Sequence, residues 1–166
     1  IYMKKNINQI LDNSSKTKIY FLTGLILLSF LLRLISVYFV RDINIEHEWH
    51  ILLDNLIKYK SYSFYTFNDQ LIPSVLLPPI YPFFLYFLKV VTSFEGSNFL
   101  YSIIFIQIIL STYSVYLFYQ LNQNFFSNKI SLINSFAFSI IPLNIYSSGQ
   151  ISSINLQIFL SIIFLK

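Results

Sequence analysis

Long apolar runs alternate along the chain with short polar breaks, and the runs have the length of membrane-crossing helices rather than of strands. Residues 19–40 form the clearest one, apolar except for Arg33 and a few small polar groups. A helix needs about 20 such residues to cross the hydrocarbon of a bilayer. Lys4, Lys5, Lys16 and Lys18 precede the run. It lacks the short apolar core and small-residue cleavage site of a signal peptide, so it reads as a retained helix whose lysines hold its start in the cytoplasm. Residues 99–121 and 130–148 predict two more spans. A fourth begins at 154 and is cut off at Lys166. With Met3-Lys4-Lys5 reading as a natural start, the chain is expected to be the N-terminal part of a longer protein, 1–166 forming part of one transmembrane domain.

Segment 82–94 is short for a crossing and carries Lys89 near its middle. If it crosses, the loop holding Lys129 faces outside. If it lies in the interface or re-enters, that loop shares the cytoplasmic side with the N-terminal lysines. The positive-inside bias favours the second arrangement. It also puts the stretch 41–98 and the turn 149–153 together on the outer face.

The pattern changes between the first span and Phe99. From 46 to 59, Trp49, Leu52, Leu53 and Leu56 recur at helical spacing and make one apolar face. Glu46, His47, His50, Asp54 and Lys58 fill the rest. This predicts a helix lying along the membrane surface with its aromatic residue at headgroup depth. Further on, Pro73, Pro78, Pro79 and Pro82 predict a stiff, extended, non-helical connector. The expected fold class is therefore all-α: a polytopic transmembrane bundle with amphipathic juxtamembrane helices in the outer loop 41–98.

Composition agrees with the pattern. The chain is 55% hydrophobic and only 11% charged, where soluble domains carry roughly a quarter charged residues. Without cysteine there is no disulfide framework or thiolate metal site. The net charge of +4 comes without a basic, aromatic-laced patch, which argues against a nucleic-acid partner.

Candidate chemistry is confined to a few positions. Arg33 lies about two-thirds along the first span. It is expected either to face the bundle interior, paired with a lipid phosphate or a residue beyond this chain, or to snorkel to the outer interface. His47 and His50 are three apart, not the four that a helical zinc pair needs. Glu48 opens the surface helix beside its apolar stripe, where partial desolvation would raise its proton affinity and suit it to general-base work. The plainer account of the loop's acids (Asp42, Glu46, Glu48, Asp54, Asp69 and Glu95) is that they keep the loop in water.

Taken in order, these pieces resemble the start of the GT-C superfamily of polytopic glycosyltransferases, near the protein mannosyltransferases and the lipid A aminoarabinose transferases. Three matches carry the resemblance: Glu48-Trp49 leading to Asn55-Leu56, the turn Ser61-Tyr62-Ser63, and the entry Pro73-Ser74 followed by Pro78-Pro79-Ile80-Tyr81-Pro82. The resemblance implies an inverting transfer of a sugar from a polyprenyl-phosphate donor to a lipid, glycan or protein acceptor, on the outer face of a bacterial inner membrane. It implies Glu48, with Glu46 beside it, as the catalytic acid of the first outer loop, either as base or within a metal or phosphate site. It implies His47, Trp49, Asn55, Pro79, Tyr81 and Asn155 as substrate contacts. It implies no particular cofactor and leaves a divalent metal open. The chain departs from the family at Asn155, where relatives carry a second acid, and at Leu77, where some carry an acid before the proline pair. A non-enzymatic transporter or flippase is the competing expectation.

Overall fold

The computed structural model describes residues 2–45, 47–67, 70–73 and 77–166, with the side chains of 2–17, 47, 65–67 and 71 left out. The chain is mostly helical: α1 (Tyr2–Val40), α2 (His47–Tyr59), a hairpin of β1 (Ser63–Phe67) and β2 (Gln70–Pro73), α3 (Ile80–Thr92), α4 (Gly96–Gln123), α5 (Asn128–Ser139), α6 (Pro142–Tyr146) and α7 (Ile154–Leu165). A 3₁₀ turn at Ser147–Gly149 follows α6. Among the described residues two helices are long and apolar enough to cross a membrane, α1 over Lys18–Val40 and α4; α5 and the segment Pro142–Gly149 qualify only as a pair bent by 58°.

Burial on α1 and α5 is inverted relative to a soluble protein. On α1, Leu27, Leu31 and Ile35 are exposed while Ser29, Arg33 and Ser36 are buried. Tyr20 and Phe21 stand out at one end of that face, Tyr38 and Phe39 at the other. Water would penalise so large an apolar surface, whereas lipid tails solvate it as well as another helix would. The chain is built as a membrane protein.

Contacts between helices set their directions. Arg41, at the end of α1, stacks its guanidinium 5.6 Å from the Tyr101 ring at the start of α4. Lys18 lies 5.7 Å from the ring of Tyr119 near the other end of α4, so α1 and α4 are antiparallel. Helix α7 starts beside the middle of α4, where Gln107 Nε2 donates to Ser152 O (2.7 Å). It ends with Lys166 Nζ donating to Gln120 Oε1 (2.5 Å), so it runs parallel to α4. Helix α3 presents Tyr81 to Gln107 and Lys89 to Phe99, and therefore lies along the first half of α4 only.

Arg33 is fully buried and faces the interior of this array, the first of its two expected placements. Its partners are serines and carbonyls of the array itself. Nε donates to Ser111 Oγ on α4 (2.7 Å); Nη1 donates to Ser29 Oγ (2.5 Å) and Ser29 O (3.0 Å) and reaches Ser139 O on α5 (3.5 Å). The buried serines of α5 (Ser131, Ser135 and Ser139) recur every fourth residue and return their hydroxyls to their own helix, which lets α5 lie close to its neighbours.

The sequence expectations need correction at several points. The fold is not all-α: β1 and β2 pair antiparallel, Thr66 opposite Leu71 and Phe67 opposite Gln70, because their aromatic and branched side chains suit an extended ribbon. The proline-rich connector ends sooner than expected, since α3 begins at Ile80 and includes Pro82. In the first helical turn the backbone N–H has no intrahelical partner, so proline costs nothing there. The span expected at 130–148 is broken after Ser139, because Pro142 has no N–H to give the carbonyl of Phe138. Asn144 Nδ2 donates to that carbonyl instead (3.4 Å), while Arg33 supplies a donor to Ser139 O. Bent helices at membrane depth need such replacements. Finally, α1 extends well before the expected start at 19.

At the Arg41 end of the array, α2, the hairpin and α3 form a second layer. Its core is Trp49, Leu52, Leu53, Tyr81, Leu85 and Leu88, packed on Phe99, Ile103 and Ile104 of α4. Burial of such side chains stabilises by about 1.5–3 kcal/mol each, and this seam fixes α2 over the array. The turn at 149–150 joins the same end. Asp42 N donates to Gly149 O (2.9 Å) and Gln150 Nε2 to Val40 O (2.7 Å).

Candidate functional site

The apolar face of α2 is buried as its period requires, which leaves two polar flanks. At about 100° per residue, Glu48 and Asn55 fall on one flank and His50, Asp54 and Ile57 on the other. Glu48 is exposed and has no hydrogen bond or ion pair among the described residues. Among the described residues nothing packs over that flank at the helix start, so the carboxylate is not desolvated by them.

The other predicted contacts have mainly architectural partners. Trp49 and Tyr81 are buried together, their rings edge to face at 5.4 Å, and the Tyr81 hydroxyl accepts a hydrogen bond from Gln107 Nε2 (3.2 Å). Asn55 Nδ2 donates to Ser63 O (2.8 Å), tying α2 to β1. Pro79 is exposed and caps α3, its carbonyl accepting from Phe83 N (3.1 Å). Asn155 is buried, and both ends of its carboxamide are engaged by Ser147: Nδ2 donates to Ser147 O (2.8 Å) and Oδ1 accepts from Ser147 Oγ (3.2 Å). An asparagine so held locks the turn before α7. Glu46 lies outside the described residues, as does the side chain of His47. Of the predicted site residues, the structure brings Trp49 and Tyr81 together. It keeps Glu48 on the surface above them.

A feature that sequence reasoning did not assemble lies on the opposite flank of α2. A cleft of about 370 Å³ opens between α2, the segment 43–45, the end of α3 and the start of α4. Leu53, Ile57 and Phe99 form part of its apolar lining, and Asn44, His50, Asp54 and Lys89 bring polar groups to it. His50 Nδ1 is 3.9 Å from Asp54 Oδ2, and Lys58 Nζ is 3.6 Å from the same oxygen. Lys89 Nζ donates to Phe94 O (2.6 Å) and sits 4.9 Å from the centre of the Phe99 ring. The i,i+4 spacing of His50 and Asp54 was visible in the sequence, but Lys89 and Asn44 join them only through the fold.

Tyr62, between α2 and β1, donates to Leu77 O (2.7 Å) and stacks on Phe83. Partial burial pushes its phenol pKa up. Among the described residues no three His, Asp or Glu side chains are grouped closely enough to hold a metal ion. In comparisons with protein-family models, curated proteins and solved structures, the chain matches none.

Proposed function

We propose that this protein is a multi-pass membrane glycosyltransferase that moves a sugar from a polyprenyl-phosphate donor to a lipid, glycan or protein acceptor at the outer face of a bacterial inner membrane. One observation supports this reading above the others: the helix carrying Glu48-Trp49 is clamped over one end of the helical array through Trp49 and Tyr81. The clamp leaves the carboxylate exposed at a fixed height. In the resembled family, the acid of this helix serves as base or within a metal or phosphate site, and Glu48 takes that place here. Asp42, Glu48, Asp54 and Glu95 share this end with Arg41, Lys58, Lys60 and Lys89, while Lys18, Lys129 and Lys166 belong to the other. Among these residues the charges balance at the end assigned to the outside and are positive at the end assigned to the cytoplasm, the sense of the positive-inside bias.

Sugar transfer by membranes carrying the full-length gene tests the reading, comparing wild type with Glu48→Gln and with Glu46→Gln as control. Glu48→Gln is expected to insert normally and lose at least about 100-fold in rate. Wild-type rates in both variants would remove Glu48 from the site.

A non-enzymatic transporter or flippase draws support from the broken α5–α6 segment and the polar residues buried at its depth. Against it, Arg33 engages hydroxyls and carbonyls within the array, which is how a packing contact is made rather than a substrate path.

A further inference from the structure

The cleft beside α2 combines an apolar lining, a volume suited to part of a lipid, and a histidine facing a carboxylate. Glu48 cannot serve it. Two residues of helix separate Glu48 from His50, a rotation of about 200°, so they look out from nearly opposite flanks. We infer that this cleft receives the acceptor, a hydroxyl-bearing lipid, and that His50, with the Asp54 carboxylate beside it, takes the proton from its hydroxyl. The inference rests on the transferase reading and decides between the two roles open to Glu48, leaving it the metal or phosphate role.

The geometry carries the assignment. The Nδ1 side of the His50 ring is turned to Asp54, and Nε2 has no hydrogen-bond partner among the described residues. At 3.9 Å the Asp54 carboxylate is beyond hydrogen-bond reach of Nδ1, but its charge favours the imidazolium that forms when Nε2 accepts a proton. Among the described residues, the charged groups nearest the ring are Asp54 and Lys58 from α2 and Lys89 from α3. Lys89 is held by Phe94 O and the Phe99 ring, so it stays at the margin rather than pairing with Asp54. The apolar lining favours an acceptor that brings hydrocarbon with its hydroxyl over a free glycan. In the step itself, the acceptor oxygen bonds to the anomeric carbon as Nε2 takes its proton. The bond from that carbon to the phosphate oxygen breaks, and its electron pair leaves with the polyprenyl phosphate. The imidazolium then releases its proton to water through the open cleft.

The test uses full-length protein in membranes, a synthetic polyprenyl-phosphate mannose as donor, and diacylglycerol or soluble mannobiose as acceptor. Wild type is expected to mannosylate diacylglycerol preferentially. His50→Gln should lose about 100-fold or more. Asp54→Asn should lower kcat with KM little changed. Diacylglycerol vesicles should also slow modification of His50 by diethyl pyrocarbonate, followed on the peptide that carries it, whether or not donor is present. A His50→Gln enzyme within threefold of wild type, or a His50 that diacylglycerol does not protect, overturns the inference while the transferase reading stands. A wild type that transfers to no acceptor removes that reading and this inference together.

Discussion

Arg33 Nε donates to Ser111 Oγ over 2.7 Å, so a buried cation of α1 is held by a hydroxyl of α4. Leaving that N–H unpaired inside the array should cost about 1–3 kcal/mol, the usual penalty for an orphaned buried donor. Ser111→Val is therefore expected to destabilise by that amount. Combined with Arg33→Leu, it should cost at least about 1 kcal/mol less than the two single changes added together. Reversible unfolding in mixed micelles measures the cycle, and strict additivity would mean that the two residues do not depend on each other.

Asp42 and Gln150 form an isolated parallel bridge between the end of α1 and the turn before α7. The chain has no cysteine of its own, so the pair Asp42→Cys with Gln150→Cys reports on this contact alone. A mild oxidant should close the disulfide, since bridged neighbours lie within the roughly 4.4–6.8 Å between Cα atoms that a disulfide spans. Absence of the cross-link in folded protein would place the two segments apart.

The proposed orientation puts Glu95 outside and Lys129 in the cytoplasm. In intact cells, a membrane-impermeant maleimide should label Glu95→Cys and should reach Lys129→Cys only after permeabilisation. Labelling of Lys129→Cys from outside would mean that α3 crosses the membrane after all.

Ser93 ends α3 with φ 53°, a left-handed conformation that its Cβ disfavours. Its amide still donates to Lys89 O (3.1 Å), a bond that glycine can keep. Ser93→Gly is expected to stabilise the protein by about 1 kcal/mol, read as a rise in midpoint on thermal unfolding in detergent. A fall in midpoint would show that the serine side chain contributes more than the strain costs.

What the sequence disclosed follows from how local each signal is. Trp49, Leu52, Leu53 and Leu56 declared their helix because a 3.6-residue period is carried by neighbours along the chain, and all four are buried. The break after Ser139 was marked by Pro142, yet the apolar run continues through it and hydropathy alone does not register a missing N–H. The hairpin stayed hidden because Ser63–Phe67 is five residues without clear alternation, and its strand character depends on a partner. Arg33 could be recognised as costly in a span, but its hydroxyl partner on α4 is 78 positions away. The cleft was the least legible feature: His50 and Asp54 share a helix, while Lys89 and Asn44 reach them only through packing.

The paired aromatics on the exposed face of α1 also set a gauge. Tyr20 and Tyr38 are 18 residues apart, about 27 Å along a helix, close to the hydrocarbon depth of a thin bilayer. A membrane several ångströms thicker would have to thin around α1 or draw one aromatic pair below the headgroups, and each extra ångström costs a fraction of a kcal/mol. Host membranes rich in sterol would then hold this protein less well than thin ones, so bilayer thickness selects where it resides.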